Sequence, residues 1–297
     1  MLTFSVILAT YNRLSILKEC LDALFNQDFP HDQYEILVSD DGSTDGTREY
    51  LAEVSQTAPV AFKYHFQEHA GPARARNWGI HTAQGRYVAF TDDDCVAPRD
   101  WLARILDAFE RYPQVVGVSG YQEADAATLQ TNIYARFEKY ANMGDFMPDQ
   151  EQEHVGGKDF LGGATNNVAY RRAVLLEVGG FDETFPFAAS EDADLKERIV
   201  GRGYEMVHLP LKVTHKHDYG FKRLMRQAYV RGVGSRQFNL KHARPSSPLR
   251  FVLSSLKVTV RSMNLLATRY WYLFPLVKLY QLQFLRGVFD HGRVIRR

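Results

Sequence analysis

The chain has 297 residues, 45% of them apolar, with a formal net charge of +1. That is enough for one large domain or a domain with an appendage, and the near-neutral balance excludes a global field suited to nucleic acid. Two cysteines, Cys20 and Cys95, are too few for a disulfide framework and suit a reducing, cytoplasmic setting.

The chain opens MLTFSVILATYNR, with no basic stretch ahead of a short apolar run, so a secretory signal is not expected. No uncharged apolar run reaches eighteen residues, so neither is a transmembrane helix. FSVILA (4–9) has strand length. In 14–27, Leu14, Leu17, Leu21, Leu24 and Phe25 recur at helical spacing. YEILVSDD (34–41) predicts a second strand, and Ser43 or Thr44 is expected to cap a helix running through about Val54. A third strand is predicted at 60–67, a third helix at 72–83, a fourth strand at 86–93 and a helix near 99–111. Strands and helices alternating with short connections predict an α/β fold: a mostly parallel central sheet with helices on both faces. Such sheets bind ligands beyond the carboxyl ends of their strands.

The strand ends carry the chemistry. ATYNR (9–13) follows the first strand, Asp40 and Asp41 end the second, and Asp92, Asp93 and Asp94 end the fourth. In a parallel sheet these segments share one rim. Five carboxylates there repel one another and make a poor phosphate cradle unaided. They suit a hard divalent cation, which takes oxygen ligands and can in turn hold a diphosphate. Asp-Gly-Ser after a strand is also ordinary turn chemistry; three aspartates after YVAF are less easily explained that way.

Six segments in order, FSVILATYNR, VSDDGSTDGT, GPARARNWGI, FTDDDCVAP, GGATNNVAYRRAVLLEVGGFDE and SEDADLKERIVGRGY, resemble the family-2 nucleotide-sugar glycosyltransferases over residues 4 to about 217. The resemblance implies a Rossmann-like GT-A fold and an inverting, non-processive transferase. It implies a donor pocket of Thr10, Tyr11 and Arg13, with Asp41 accepting the imide N–H of the base, uracil by preference. Arg74 or Arg76 would face the diphosphate. Asp92 and Asp94 match the Asp-x-Asp pair, with Asp94 as direct ligand of Mn2+ or Mg2+ and Asp92 or Asp93 reaching ribose or a metal-bound water. Counting from Gly85 sets the pair at 92 and 94; counting back from Pro98 moves it by one.

On the acceptor side the resemblance implies close sugar approach at Gly162 and Gly163, Asp192 as the general base and Glu191 supporting it. Of His215 and His217, it places His215 near the metal. Paired glycines also make tight turns, and acids in a first helical turn also answer the helix dipole. The chain lacks the Gln-x-x-Arg-Trp motif of processive synthases, RQAYVRGVG (226–234) being the nearest stretch, which argues for one sugar per event. A nucleotidyltransferase is the runner-up enzyme class, although ATYNRLS is not a Gly-rich phosphate loop, and an inactive sugar-binding module is the non-enzymatic rival.

The expected organisation is a catalytic domain at 1–220, with a donor half (1–112) and an acceptor half (113–220), then a helical extension at 221–297. From Lys241 onward there are eleven Lys/Arg and one acid, Asp290. Arg250, Lys257 and Arg261 fall within about 40° on a helical wheel, beside Phe251, Leu253, Leu256 and Val260. Two short helices are predicted, after Pro245 and Pro248 and again around Pro275. Such a segment suits an anionic membrane surface; a packed hairpin or dimer interface is the other reading. The expected partners are a nucleotide-diphosphate sugar, a glycan or lipid-linked acceptor and, through the tail, the cytoplasmic membrane face.

Overall fold

The structure is a computed structural model that describes residues 2–143, 150–160, 162–216, 218–244 and 247–295; His217 and Pro245 lie outside them. The chain forms two compact units, one of Met1–Glu123, Asp149–Glu183 and Asp192–His217, the other of Ala124–Pro148, Thr184–Glu191 and Asp218–Arg297.

The first unit holds the sheet. Its strands are β1 (Phe4–Thr10), β2 (Tyr34–Asp40), β3 (Ala61–Phe66), β4 (Tyr87–Thr91), β5 (Cys95–Val96), β6 (Gly117–Glu123), β7 (His154–Gly156), β8 (Asn167–Arg171) and β9 (Met206–His215). Their order is β3-β2-β1-β4-β8-β6-β9-β5, with β7 also on β9. β3, β2, β1 and β4 are parallel. Beyond β4, β8 runs antiparallel to both β4 and β6, and β6 runs parallel to β9. The α/β fold expected from the alternation is therefore present, with its parallel run concentrated where strands and helices alternate most strictly.

Side chains alternate between two cores, as the strand period requires. Val6, Leu8, Ile36, Val38 and Ala89 pack in one core with Leu17, Leu21, Trp101 and Ile105. Ile7, Leu37, Val88 and Phe90 pack in the other with Ile80, Leu175 and Leu195. Burying each large side chain contributes about 1.5–3 kcal/mol. The first core draws on α1 (Leu14–Phe25), α2 (Thr47–Thr57) and α4 (Trp101–Arg111); the second on α3 (Pro72–Thr82), α7 (Arg172–Glu177) and α8 (Glu191–Val200). The second helix begins at Thr47, later than expected. The Asp45 carboxylate accepts from Thr47 N and Oγ1 and from Leu14 N, while Ser43 N donates to Asp40 Oδ1 and Thr44 N to Asn12 Oδ1, so both residues serve the loop instead.

The second unit is helical, with short α5 (Ala126–Thr131) and α6 (Ile133–Phe137), then α9 (Phe221–Lys241), α10 (Pro248–Ser262) and α11 (Phe274–Val294). α11 has 21 residues rather than forming a short helix, and Pro275 lies in its first turn, where a missing N–H costs nothing. α9 and α11 meet backbone to backbone. A Cβ at Gly232 would stand 2.0 Å from Phe284 O, and one at Gly287 2.0 Å from Tyr229 O, so only glycine fits at either place.

Candidate active site

The strand order places a topological switch point between β1 and β4. The chain steps outward from β1 through β2 to β3, then returns to lay β4 on the other side of β1. Loops leaving β1 and β4 thus diverge and open a crevice at their carboxyl ends. ATYNR leaves β1 there and DDD leaves β4.

The three aspartates have built-in counter-charges. Arg13 Nη1 lies 2.8 Å from both Asp93 Oδ1 and Asp94 Oδ2. Thr10 Oγ1 donates to Asp93 Oδ2 at 2.7 Å. Arg76 Nη2 donates to Asp92 Oδ1 at 3.0 Å. Arg76 is almost fully buried, whereas Arg74, two residues and so over half a turn away on α3, is exposed. Of the two arginines left open by the sequence, it is Arg76 that reaches the acids. Asp94 Oδ1 lies 3.3 Å from His215 Nε2. Two guanidiniums thus reach the three carboxylates, and a buried imidazole faces the last aspartate. The donor set of Asp94 and His215 therefore fits a divalent cation.

Burial pushes the Asp93 carboxyl up, Arg13 pulls it down, Asp94 pushes it up again and the Thr10 hydroxyl lowers it; the balance stands at about 6, against an ordinary 3.8. The folded chain then holds this proton more tightly than the unfolded one. The group stabilises the fold at low pH, and that contribution is lost as pH rises through about 6. Metal-free Asp93→Asn protein is accordingly expected to be more stable than the parent at neutral pH, with the gain shrinking as pH falls below about 6. Denaturant titrations in chelator near pH 5 and pH 7.5 check this; a gain of equal size at both would exclude titration as its source.

Asp41 organises the neighbouring loop. Its Oδ1 accepts from Gln67 Nε2 at 2.6 Å and from Ala70 N at 2.9 Å. Its Oδ2 accepts from Gly71 N at 3.0 Å and lies 2.9 Å from His69 Nδ1. Tyr11, 43% exposed, stacks on His69 with ring centroids 4.2 Å apart. Asn12, between Tyr11 and Arg13, has a φ of 52°, a left-handed conformation that asparagine tolerates better than most residues. Gln67, His69 and Asn12 were not found from sequence; no spacing marks residues whose role is set by a loop that only the fold brings near.

Of the residues expected to meet the acceptor, Gly163 has a φ of 93°, which favours glycine. Its N–H donates to Ser119 Oγ at 3.0 Å. A Cβ there would stand 3.1 Å from the Tyr170 hydroxyl, and one at Gly162 would stand 2.8 Å from Ser119 Oγ. Glu191 and Asp192 open α8, Glu191 buried and Asp192 half-buried. Asp192 Oδ1 accepts from Ala193 N at 2.7 Å. Burial, and then the Asp192 charge, push the Tyr170 phenol far up. Ser190, just ahead of α8, has a φ of 73°, a strained conformation for a side-chain-bearing residue and a frequent companion of functional groups.

The model of the family described as "Glycosyl transferase family 2" matches residues 5–179, more than half of the chain. The chain belongs to glycosyl transferase family 2. It is 38% identical over 214 residues to the glycosyltransferase AglE of Haloferax volcanii, a match covering 72% of this chain and 64% of that one. Its matches span from 16% to 64% of the length of such curated relatives. Among solved structures it resembles the mannosyltransferase PcManGT from Pyrobaculum calidifontis in complex with GDP-Man and Mn2+, with a TM-score of 0.70 at 21% identity over 97% of this chain and 86% of that one. It also resembles S. aureus TarS 1-349 in complex with UDP, with a TM-score of 0.54 at 16% identity over 99% and 91%. The fold is thus the GT-A glycosyltransferase fold that the sequence resemblance implied.

Proposed function

We propose that this chain moves one sugar from a nucleotide-diphosphate sugar to an acceptor hydroxyl, with inversion at the anomeric carbon. The observation that supports it best is the switch-point cluster, in which Arg13 bridges Asp93 and Asp94 while Asp94 faces His215. Asp94 and His215 would hold Mn2+ or Mg2+, and the bound cation supplies Lewis-acid charge to the departing diphosphate. Arg13 and Arg76, already among the carboxylates, would turn part of their charge to the phosphates. The base stacks on Tyr11 beside Thr10. Its imide N–H takes the place of exposed His69 on Asp41 Oδ2, because the four acceptor positions of that carboxylate are otherwise engaged.

Asp192 takes the proton of the acceptor hydroxyl as its oxygen attacks the anomeric carbon, and the diphosphate leaves with the electron pair of the broken C–O bond. Gly162 and Gly163 allow the acceptor close to the backbone, and Glu191 supports the base. Residues 1–112 would form the donor half and 113–220 the acceptor half. Neighbours that hold GDP-Man and UDP support a nucleotide-sugar donor as a class; uracil is our assignment from Asp41. The acceptor we assign is a lipid-linked or surface-polysaccharide precursor. The test is nucleotide release from UDP-, GDP- and dTDP-sugars with Mn2+, with Mg2+ and in chelator. Nucleoside diphosphate released only with metal is the expected result. Formation of nucleoside triphosphate and sugar 1-phosphate when pyrophosphate is added marks a nucleotidyltransferase, and binding without release marks an inactive module.

The tail supports a place for the reaction. Among the described residues no helix is long and apolar enough to cross a membrane. Yet Leu249, Leu253, Leu256, Val260 and Met263, at steps of four and three residues, are each more than half exposed, an apolar stripe along α10 and its end. Phe251 and Thr259 are turned instead to α11, against Phe284 and Gln281. With Arg250 and Lys257 beside the stripe, we assign it to an anionic, cytoplasmic membrane face. Each basic group contributes about 1 kcal/mol there, weakened by salt. Whole protein is expected to sediment with anionic vesicles at low salt, to be released at high salt, and to lose binding on Leu253→Ser with Leu256→Ser. Equal, salt-insensitive binding to neutral vesicles would overturn the assignment, as would concentration-dependent self-association with no vesicle binding.

A further inference from the structure

Three donor atoms of different chemical softness converge next to Arg13. Asp94 Oδ1 lies 3.3 Å from His215 Nε2 and 3.9 Å from Cys95 Sγ. Ligand atoms of all three residues fall within 4.8 Å of one another, and all three residues are buried. The strands build this arrangement. Cys95 and His215 are direct partners in the antiparallel β5–β9 ladder, so their side chains leave the sheet on the same face. Lys216 N donates to Asp94 O at 2.8 Å and carries the pairing one residue further, fixing the peptide of Asp94 beside that pair. A tetrahedral cation with nitrogen and oxygen ligands at ~2.0–2.2 Å and sulfur at ~2.3 Å keeps neighbouring ligand atoms roughly 3.3–3.7 Å apart. Two of the separations are 3.3 and 3.9 Å and the third, between the Cys95 sulfur and the His215 nitrogen, lies within 4.8 Å, so a shift of up to about an ångström completes such a shell.

We propose that Cys95 is a third protein ligand of the cation site, making it a mixed oxygen–nitrogen–sulfur centre that selects Zn2+ and other thiophilic divalent ions over Mg2+. This rests on the reading of Asp94 and His215 as the cation site and adds a ligand that the acidic triplet alone does not suggest. A site of carboxylate oxygens and water suits Mg2+ or Mn2+; a thiolate shifts the preference toward Zn2+, Co2+ and Cd2+. On coordination the S–H bond breaks, the sulfur lone pair goes to the metal and the proton leaves to solvent. A hard ion would engage Asp94 and His215 and leave the thiol protonated. A thiophilic ion would engage all three residues and be held longer.

Titration of the parent protein with Co2+ tests the ligand directly. A near-ultraviolet sulfur-to-cobalt charge-transfer band is expected, lost in Cys95→Ser and kept in Cys20→Ser. Calorimetry with Zn2+ and with Mn2+ is the second readout. Cys95→Ser is expected to weaken Zn2+ binding by at least about tenfold, the scale reached by removing even an outer partner of a metal ligand, and to change Mn2+ binding by less than about threefold. The parent spectrum needs no variant, so a misfolded Cys95→Ser protein leaves the test intact. Absence of the band in a parent that still binds Mn2+ overturns the thiolate ligand and spares the Asp94–His215 site. Absence of binding by Co2+ and Mn2+ alike overturns both.

Discussion

Asp192→Asn is expected to slow sugar transfer by about 10²-fold or more while changing donor affinity by less than about twofold. The substitution keeps size and one acceptor oxygen, so the bond from Ala193 N to Oδ1 survives and the first turn of α8 keeps its geometry. What disappears is a group able to take a proton. If the acceptor hydroxyl is deprotonated as it attacks, the loss falls on the transition state alone, so kcat drops and donor binding does not. Calorimetry with a nucleotide diphosphate and a transfer assay, run on one preparation, separate the two quantities. Transfer at the parental rate with intact donor binding places the base elsewhere. A product of retained anomeric configuration excludes single displacement whichever residue is the base.

Asp94→Asn is expected to abolish metal-dependent donor binding and to lower activity by roughly 10²-fold or more, the several kcal/mol that a Lewis acid contributes to a leaving diphosphate. Its two oxygens look in different directions, one to Arg13 and the other to His215. An amide can offer an oxygen to one of them only, and one negative charge of the cluster is gone. Mn2+ titration in the presence of nucleotide diphosphate measures the binding loss, with far-ultraviolet circular dichroism as the check on folding. A variant fully active in excess chelator would remove both the metal requirement and the ligand assignment.

Much of this architecture is legible in the sequence because both faces of the sheet are buried. β1, β2 and β4 each carry a central apolar run, Val6–Ala9, Ile36–Val38 and Tyr87–Phe90, since both faces are largely buried. α1 reads as a helix because Leu17, Leu21 and Leu24 line one side, all buried. The sequence points to too early a start for α2 because Ser43 and Thr44 carry good capping groups that the loop uses instead. α9 hides its length behind Gly232 and Gly234, which look like breakers and prove to be points of close approach, to α11 and to Ala189. At the site, the acids announce themselves by number and by position after strands. Arg74 and Arg76 cannot be separated by sequence, since the rotational phase of α3 against the sheet decides which one turns inward. His69, Gln67 and Cys95 leave no local signal, because only strand register and loop path bring them beside the acids.

The four donors gathered on Asp41 have a consequence for hydrogen exchange. Loop amides ordinarily trade their protons with water quickly. The amides of Ala70 and Gly71 instead point into a buried carboxylate, Ser43 N is held by Asp40 and Thr44 N by Asn12. These protons should exchange at rates more typical of a helix interior, in a stretch with no regular secondary structure, and nucleotide should slow them little further. Fixing a backbone residue costs ~1–2 kcal/mol of conformational entropy, and for this loop that cost is met when the chain folds. If the base binds at Asp41 as proposed, an arriving nucleotide would displace the His69 side chain but meet a backbone already immobile, so its affinity would reflect contacts made rather than backbone order imposed.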